Sequence, residues 1–357
     1  MKRIDLILLI SVVFLTLFGL FMIYDVSSFV AFRDFSDKYH YIKGQFFWVI
    51  AGFGLMGLFS LFNYQKLYNL SLPIILSAIV LLILVFVPGI GVKLLGARRW
   101  IDAKVFLIQP AEFVKLALAI YLASWLSSKE KGRFMAFLLL LGLVLGLVIL
   151  EPDMGTAVVI LSEALVVYFL SGGNIIYFTV MVPVAAAVGF ILIKLSPYRL
   201  KRLETFFDIN QSIQDSSYHV RQVLIAFGSG GIFGVGLGNS LQKYSYLPEI
   251  TTDSIFAIIA EELGFIGAVI LIIVFAVIIW RGFSIAIRAR DNFGRLLGGG
   301  ITTFIATQII INLGAQTVLL PLTGIPLPFI SYGGSALIVD LCAVGILLNI
   351  SKQSLKK

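Results

Sequence analysis

The run Leu247-Pro248-Glu249-Ile250-Thr251-Thr252-Asp253 ends a long polar and glycine-rich stretch and enters an apolar segment carrying Glu261 and Glu262. A carboxylate at the mouth of a helix, where that helix meets a membrane surface, is placed to take a proton from a substrate hydroxyl as general base. Thr251, Thr252 and Asp253 are also good residues for starting a helix, so capping competes with catalysis for the same side chain. Glu261 and Glu262 lie about 12 Å further along at 1.5 Å per residue, too far to relay a proton to Asp253 directly. Carboxylates at membrane depth are costly and are paired or line a wet cavity, so an ion pair or hydrogen bond inside the bundle is expected for these two.

Other charged residues carry a bland and a sharper reading side by side. Glu112 and Lys115 are three apart on one predicted helix face, and mutual pairing is favoured over a Lys115 that lines a cavity and meets phosphate. Glu151-Pro152-Asp153 joins two apolar segments as a tight turn; its carboxylates could orient Arg98 or Arg99, or hold a metal. Arg98, Arg99 and Lys104 fall in a short loop, where they either touch lipid headgroups or fork onto an anionic ligand. With only His40 and His219, a histidine-rich metal site is not expected, and the lone Cys342 excludes an internal disulfide.

The elements that must hold these residues are membrane helices. Hydrophobic residues make up 59% of the 357 residues and charged residues 13%, about half the usual soluble share, with a mean hydropathy of +1.02. Apolar stretches near 4–24, 45–62, 72–88, 108–126, 134–150, 155–171, 175–195, 254–280, 296–320 and 331–350 predict an all-α bundle of ten spans. The first, preceded by Lys2 and Arg3, reads as an uncleaved helix. With the N-terminus inside, the inner segments carry thirteen basic residues and two short outer loops carry seven, so both termini are expected to be cytoplasmic. An eleventh span at 223–237 would place the arginines of 281–295 outside; that segment holds Gly228, Gly230, Gly231, Gly234 and Gly236 and is read as re-entrant or surface-lying. No separate soluble domain is expected, and 1–357 is read as one transmembrane domain. Its largest outer loop, 196–253 between spans seven and eight, opens with an amphipathic stretch at 198–207 suited to the interface.

Several long motifs are similar to those of the SEDS family (shape, elongation, division and sporulation proteins) over nearly the whole chain. They are Gly96-Ala97-Arg98-Arg99-Trp100-Ile101, Gln109-Pro110-Ala111-Glu112-Phe113-Val114-Lys115, Glu151-Pro152-Asp153-Met154-Gly155-Thr156, Gly228-Ser229-Gly230-Gly231, Ala260-Glu261-Glu262-Leu263-Gly264 and Pro326-Leu327-Pro328-Phe329-Ile330-Ser331-Tyr332-Gly333-Gly334-Ser335. Gly238-Asn239-Ser240 with Gln242-Lys243, Tyr246-Leu247-Pro248-Glu249 and Pro321-Leu322-Thr323-Gly324 resemble the division branch, FtsW, more than the elongation branch, RodA. The chain departs from the family at Ile250 and Thr251, where a small residue and a histidine are usual. It departs again at Ser254, commonly Phe, and at Asp102-Ala103-Lys104-Val105, which replaces a glycine-containing linker.

The resemblance implies a ten-helix peptidoglycan glycosyltransferase of the bacterial cytoplasmic membrane that polymerises lipid II on the outer face, at the septum for a division-type member. It implies Asp253 as the catalytic base. Arg98, Arg99, Lys115, Lys243, Arg221 and Ser331 are the candidates for the pyrophosphate and lipid II, supported by Glu112, Glu151, Asp153, Glu249 and Glu261. It implies a class B penicillin-binding protein and other division membrane proteins as partners, and no nucleic acid. It fixes no cofactor, and assistance from a divalent cation (Mg or Mn) is left open. The rival readings are a lipid II flippase, for which Glu112, Lys115, Glu163, Glu261, Glu262 and Asp340 would form a polar path, the same polymerase serving elongation, and a structural scaffold.

Overall fold

In a computed structural model, residues 4–94, 97–104, 106–128, 133–207, 215–244 and 251–354 are described. A helix lies over each of the ten apolar segments: α1 (Leu6–Phe35), α2 (His40–Leu61), α3 (Gln65–Leu84), α4 (Pro110–Leu126), α5 (Phe134–Leu150), α6 (Met154–Leu170), α7 (Ile175–Lys194), α10 (Ile255–Ile287), α11 (Asn292–Gln316) and α12 (Gly334–Gln353). Between α7 and α10 lie α8 (Pro197–Phe207) and α9 (Asp215–Gly230). Among the described residues, seven helices are long and apolar enough to cross a membrane, namely α1, α2, α3, α7, α10, α11 and α12; α5 and α6 are apolar but only 17 residues long. The chain is a mostly helical, polytopic membrane protein.

Burial is uneven for a physical reason. Lipid is as apolar as leucine, so helices are drawn together by close packing of small residues, and large apolar side chains are free to face outward. Most of α11 and α12 is enclosed, while Met181 is the buried residue of α7. On α11, Gly298 backs onto Ala286 of α10, Gly299 onto Leu170 of α6, and Gly300 onto Val167 and Ala119. Gly52 of α2 and Gly345 of α12 admit Leu341 and Met56 in the same way.

Two local features interrupt the helical pattern. The stretch after α3 folds into a small antiparallel sheet, β1 (Gly91–Leu94), β2 (Ala97–Asp102) and β3 (Leu107–Ile108), in the order β1-β2-β3. Lys93 pairs with Arg98 beside an irregularity between Val92 and Lys93. The sheet was not legible because its strands are short and charged, without the period-two apolar face that marks a strand. The second feature is a break in α10 at Gly264, whose φ of 68° and ψ of −171° only glycine adopts readily.

Candidate active site

Asp253 is buried two residues before the first residue of α10. The N-cap is Ser254, which makes no side-chain cap bond; its hydroxyl lies 2.7 Å from Nε2 of His219 on α9. Neither Thr251, Thr252 nor Asp253 therefore occupies the capping position that their residue types suggested. Oδ1 of Asp253 accepts from the Thr252 hydroxyl at 2.9 Å. The Asp253 carbonyl accepts from Nδ2 of Asn312 at 3.0 Å, and the same amide nitrogen donates to the Ile325 carbonyl at 2.8 Å.

The loop after α11 completes the surroundings. Tyr332 donates its backbone N–H to the Thr251 carbonyl at 2.8 Å, and the Ser331 hydroxyl donates to the Thr252 carbonyl while accepting from the Leu327 N–H at 2.8 Å. Gly324 lies beside the Asp253 carboxylate, where a Cβ would make ordinary contact 3.9 Å from Oδ2, and its φ of +75° is what favours glycine there. The backbone at 323–325 also packs on the start of α6, where a Cβ at Gly155 would meet Ile325 Cγ1 at 2.7 Å and the Thr323 carbonyl at 3.4 Å. Glycines at 155 and 324 thus let the turn at 151–155 and the start of α10 share one loop.

Basic groups gather at that turn. Arg99 of β2 donates through Nε to the Glu151 carbonyl at 2.9 Å and through Nη2 to the Pro152 carbonyl at 2.6 Å, taking up acceptors that the end of α5 leaves open. Asp153 caps α6: its carboxylate accepts from the Thr156 N–H at 3.0 Å, the Thr156 hydroxyl at 2.8 Å and Gln109 Nε2 at 3.3 Å. Glu151 is fully buried, and its carboxylate accepts no hydrogen bond among the described residues. Burial, then the Asp153 charge, push its pKa from 4.5 up to about 8, with Arg99 opposing. Arg199 of α8 lies in electrostatic reach of the same turn: burial and the Arg99 charge pull its guanidinium below the ordinary value, and Asp153 opposes. Arg202, one turn on, donates to the Leu322 carbonyl at 3.0 Å.

The remaining candidates scatter. Lys115 and Glu112 are both buried and paired at 2.7 Å, with Glu163 and Asp340 in electrostatic range and the Phe304 ring 5.8 Å from Nζ. Lys243 is held by Asp25 at 3.1 Å and Glu262 at 3.2 Å. Glu261 accepts from the Ser229 and Ser240 hydroxyls, the former at 3.3 Å. Both glutamates are therefore engaged inside the bundle, as their depth required. Arg98 is exposed on β2 and Arg221 is exposed on α9. Glu249 lies outside the described residues.

Among the described residues, no group of three or more Asp, Glu, His or Cys side chains could hold a metal ion. The two carboxylates at 151 and 153 offer only the Glu151 oxygens unengaged, so among the described residues this turn does not fit a resident divalent cation. Arg199 and Asn312 are site residues that the motifs had not singled out, and Gly324, though it closes a quoted motif, had been given no role. For Arg199 a signal existed: it lies on the basic face of the amphipathic stretch expected at 198–207.

Residues 5–356 match the family model FtsW/RodA/SpoVE, described as a cell cycle protein. The chain is 41% identical over 359 residues to stage V sporulation protein E of Bacillus subtilis, covering 98% of this chain and 97% of that one. It is 39% identical to the probable peptidoglycan glycosyltransferase FtsW of Trichlorobacter lovleyi, covering 97% and 93%. Its fold is similar to a chain of a solved peptidoglycan synthase complex that coordinates polymerisation and crosslinking, with a TM-score of 0.80, 26% identity and 98% of both chains covered. It is also similar to the rod shape determining protein RodA of Thermus thermophilus, with a TM-score of 0.74, 26% identity and 99% of both chains covered. The chain belongs to the FtsW/RodA/SpoVE family of cell cycle proteins.

Proposed function

We propose that this protein is a peptidoglycan glycosyltransferase that polymerises lipid II, and that Asp253 is its general base. The observation that carries this reading is that the loop at 321–333 joins the buried Asp253 carboxylate and the segment 251–254 to the turn at 151–155, three stretches distant in sequence. Asp253 takes the proton from the 4-hydroxyl of the acceptor GlcNAc. The oxygen attacks the anomeric carbon of the donor MurNAc as the bond to the undecaprenyl diphosphate breaks, and the anomeric configuration inverts. The leaving diphosphate gathers negative charge, which preplaced guanidinium groups stabilise; Arg98 and Arg99 serve here, joined by Arg199. Lys115, Lys243 and Ser331 are not carried forward as diphosphate ligands. The first two ammonium groups already face buried carboxylates, and the Ser331 hydroxyl already ties two loops together.

Ten spans with both termini in the cytoplasm put this site on the outer face of the cytoplasmic membrane, in a single transmembrane domain whose largest outer loop is 196–253. The similarity to FtsW relatives supports a place at the division septum. The similarity to a synthase that polymerises and crosslinks supports a class B penicillin-binding protein, with other division membrane proteins, as partners.

The test supplies lipid II to purified wild type and Asp253→Asn, each with and without a cognate class B partner, and reads glycan polymer on a gel. Loss of a general base lowers the rate by roughly 10²–10⁴-fold. Polymer from both proteins would remove Asp253 and direct attention to Glu151 and Asp153. No polymer from either, with partner present, would favour the flippase reading.

A further inference from the structure

The break in α10 divides it into a short first segment, 255–263, and a long second one, 265–287. The two helical hydrogen bonds that Gly264 forfeits are replaced by four to the backbone at 231–236. Val235 and Gly236 donate to the Glu261 and Glu262 carbonyls at 3.0 and 3.1 Å, and Phe265 and Ile266 donate to the Gly231 and Ile232 carbonyls at 2.9 and 3.2 Å. The first segment, about 13 Å long at 1.5 Å per residue, is therefore not held by helical continuity with the rest of α10. Its position is set by the packing of its buried residues 255–262 and by what grips its two ends.

At the near end stand Asp253 and its bonds to the loop at 321–333. At the far end stand Glu261 and Glu262. Glu262 Oε1 accepts from the Ser240 N–H at 3.2 Å and from Lys243 Nζ at 3.2 Å. The same ammonium donates to both oxygens of Asp25 on α1, at 3.1 and 3.2 Å. An ammonium has three protons, and these three oxygens use them all. The Asp25–Lys243–Glu262 clamp thus ties the far end of the segment to α1 and to the loop that the glycine-rich stretch leads into.

We propose that Lys243 is a positioning residue: through Glu262 and Asp25 it fixes the orientation of 255–263, and with it the carboxylate of Asp253. The catalytic part of this rests on the reading of Asp253 as general base. A short rigid helix gripped at both ends transmits a tilt at one end to the other, and a misplacement of about 1 Å at a reacting group costs on the order of 10²-fold in rate.

The test uses the full chain in detergent. Asp25→Asn removes one arm of the clamp, and Lys243→Met removes its centre. The expected result with lipid II is a fall in kcat of about tenfold or more in both variants, with KM within about twofold of wild type, and partial recovery in Lys243→Arg. In parallel, hydrogen exchange is expected to quicken about tenfold or more at the amides of 235, 236, 265 and 266 and at 252–258, with α12 unchanged. A raised KM at unchanged kcat in Lys243→Met, with Asp25→Asn like wild type, would make Lys243 a substrate ligand and overturn the proposal. So would unaltered exchange at 252–258 in Asp25→Asn, the milder of the two substitutions because it keeps the side chain's shape and its acceptor oxygen. If wild type makes no polymer even with its class B partner present, the glycosyltransferase reading fails while the exchange measurement still decides whether the clamp positions this segment.

Discussion

At Glu151 and Arg199, environment rather than residue type sets behaviour. A carboxyl held near 8 in the folded protein and at 4.5 when unfolded binds more protons in the folded state between those values. Its contribution to stability is fully present below about pH 4.5 and is lost as pH rises through about 8. Glu151→Gln should therefore gain thermal stability relative to wild type between pH 5 and pH 8.5, a difference that melting curves in detergent at several pH values will show. An unchanging difference would mean that the Glu151 carboxyl is not held neutral. Arg199 stands beside Arg99 with Asp153 as its opposing charge, a pairing that an added anion relieves. Hydrogen bonds to charged groups contribute about 1.5–3 kcal/mol, so Arg199→Ala should lower kcat/KM for lipid II by roughly ten- to hundredfold with an unchanged melting temperature. Arg199→Lys should recover part of this, because an ammonium keeps the charge but not the fork.

Glycine position decides what individual elements can do. At Gly264 a side chain meets both a disfavoured backbone conformation and the backbone of 232–234. Gly264→Ala should cost at least about 1–3 kcal/mol from the conformation alone, read as a lowered melting temperature and faster exchange at 265 and 266. Gly142 on α5 has nothing within 4 Å of its missing Cβ and serves as the control: Gly142→Ala should melt within a degree or two of wild type. The glycine-rich composition of 228–238 was visible in the sequence, and so was its unsuitability as a span. Its pairing partner was not, because the free backbone groups of a broken helix 30 residues away leave no compositional mark.

The arrangement of charge governs the whole molecule. Glu112, Lys115, Glu163 and Asp340 come from three helices, α4, α6 and α12, into one enclosed region with a single ammonium among the described residues. Removing one partner of a buried pair leaves an uncompensated charge and costs about 3–5 kcal/mol. Lys115→Met should thus destabilise strongly, whereas the double variant Lys115→Met with Glu112→Gln should recover much of the loss. Additive losses would show that the pair does not act as a unit. The (i, i+3) spacing made this pair legible, but the two further carboxylates around it depend on how α6 and α12 pack against α4.

The membrane class, the places of the apolar helices, the aspartate at the start of α10 and the motifs that mark the family all follow from local composition and spacing. Each residue's preference for lipid or water is a local property that survives folding. Partner choice is not local. Lys243 finds Asp25 218 residues away, Ser331 finds Thr252 79 residues away, and Arg99 finds the turn at Glu151 52 residues away. Spacing along the chain assigns a lysine or a serine to a site by type alone. Packing of the helices assigns it to a particular carboxylate or carbonyl, and here it sets Lys243, expected at the substrate, between Asp25 and Glu262.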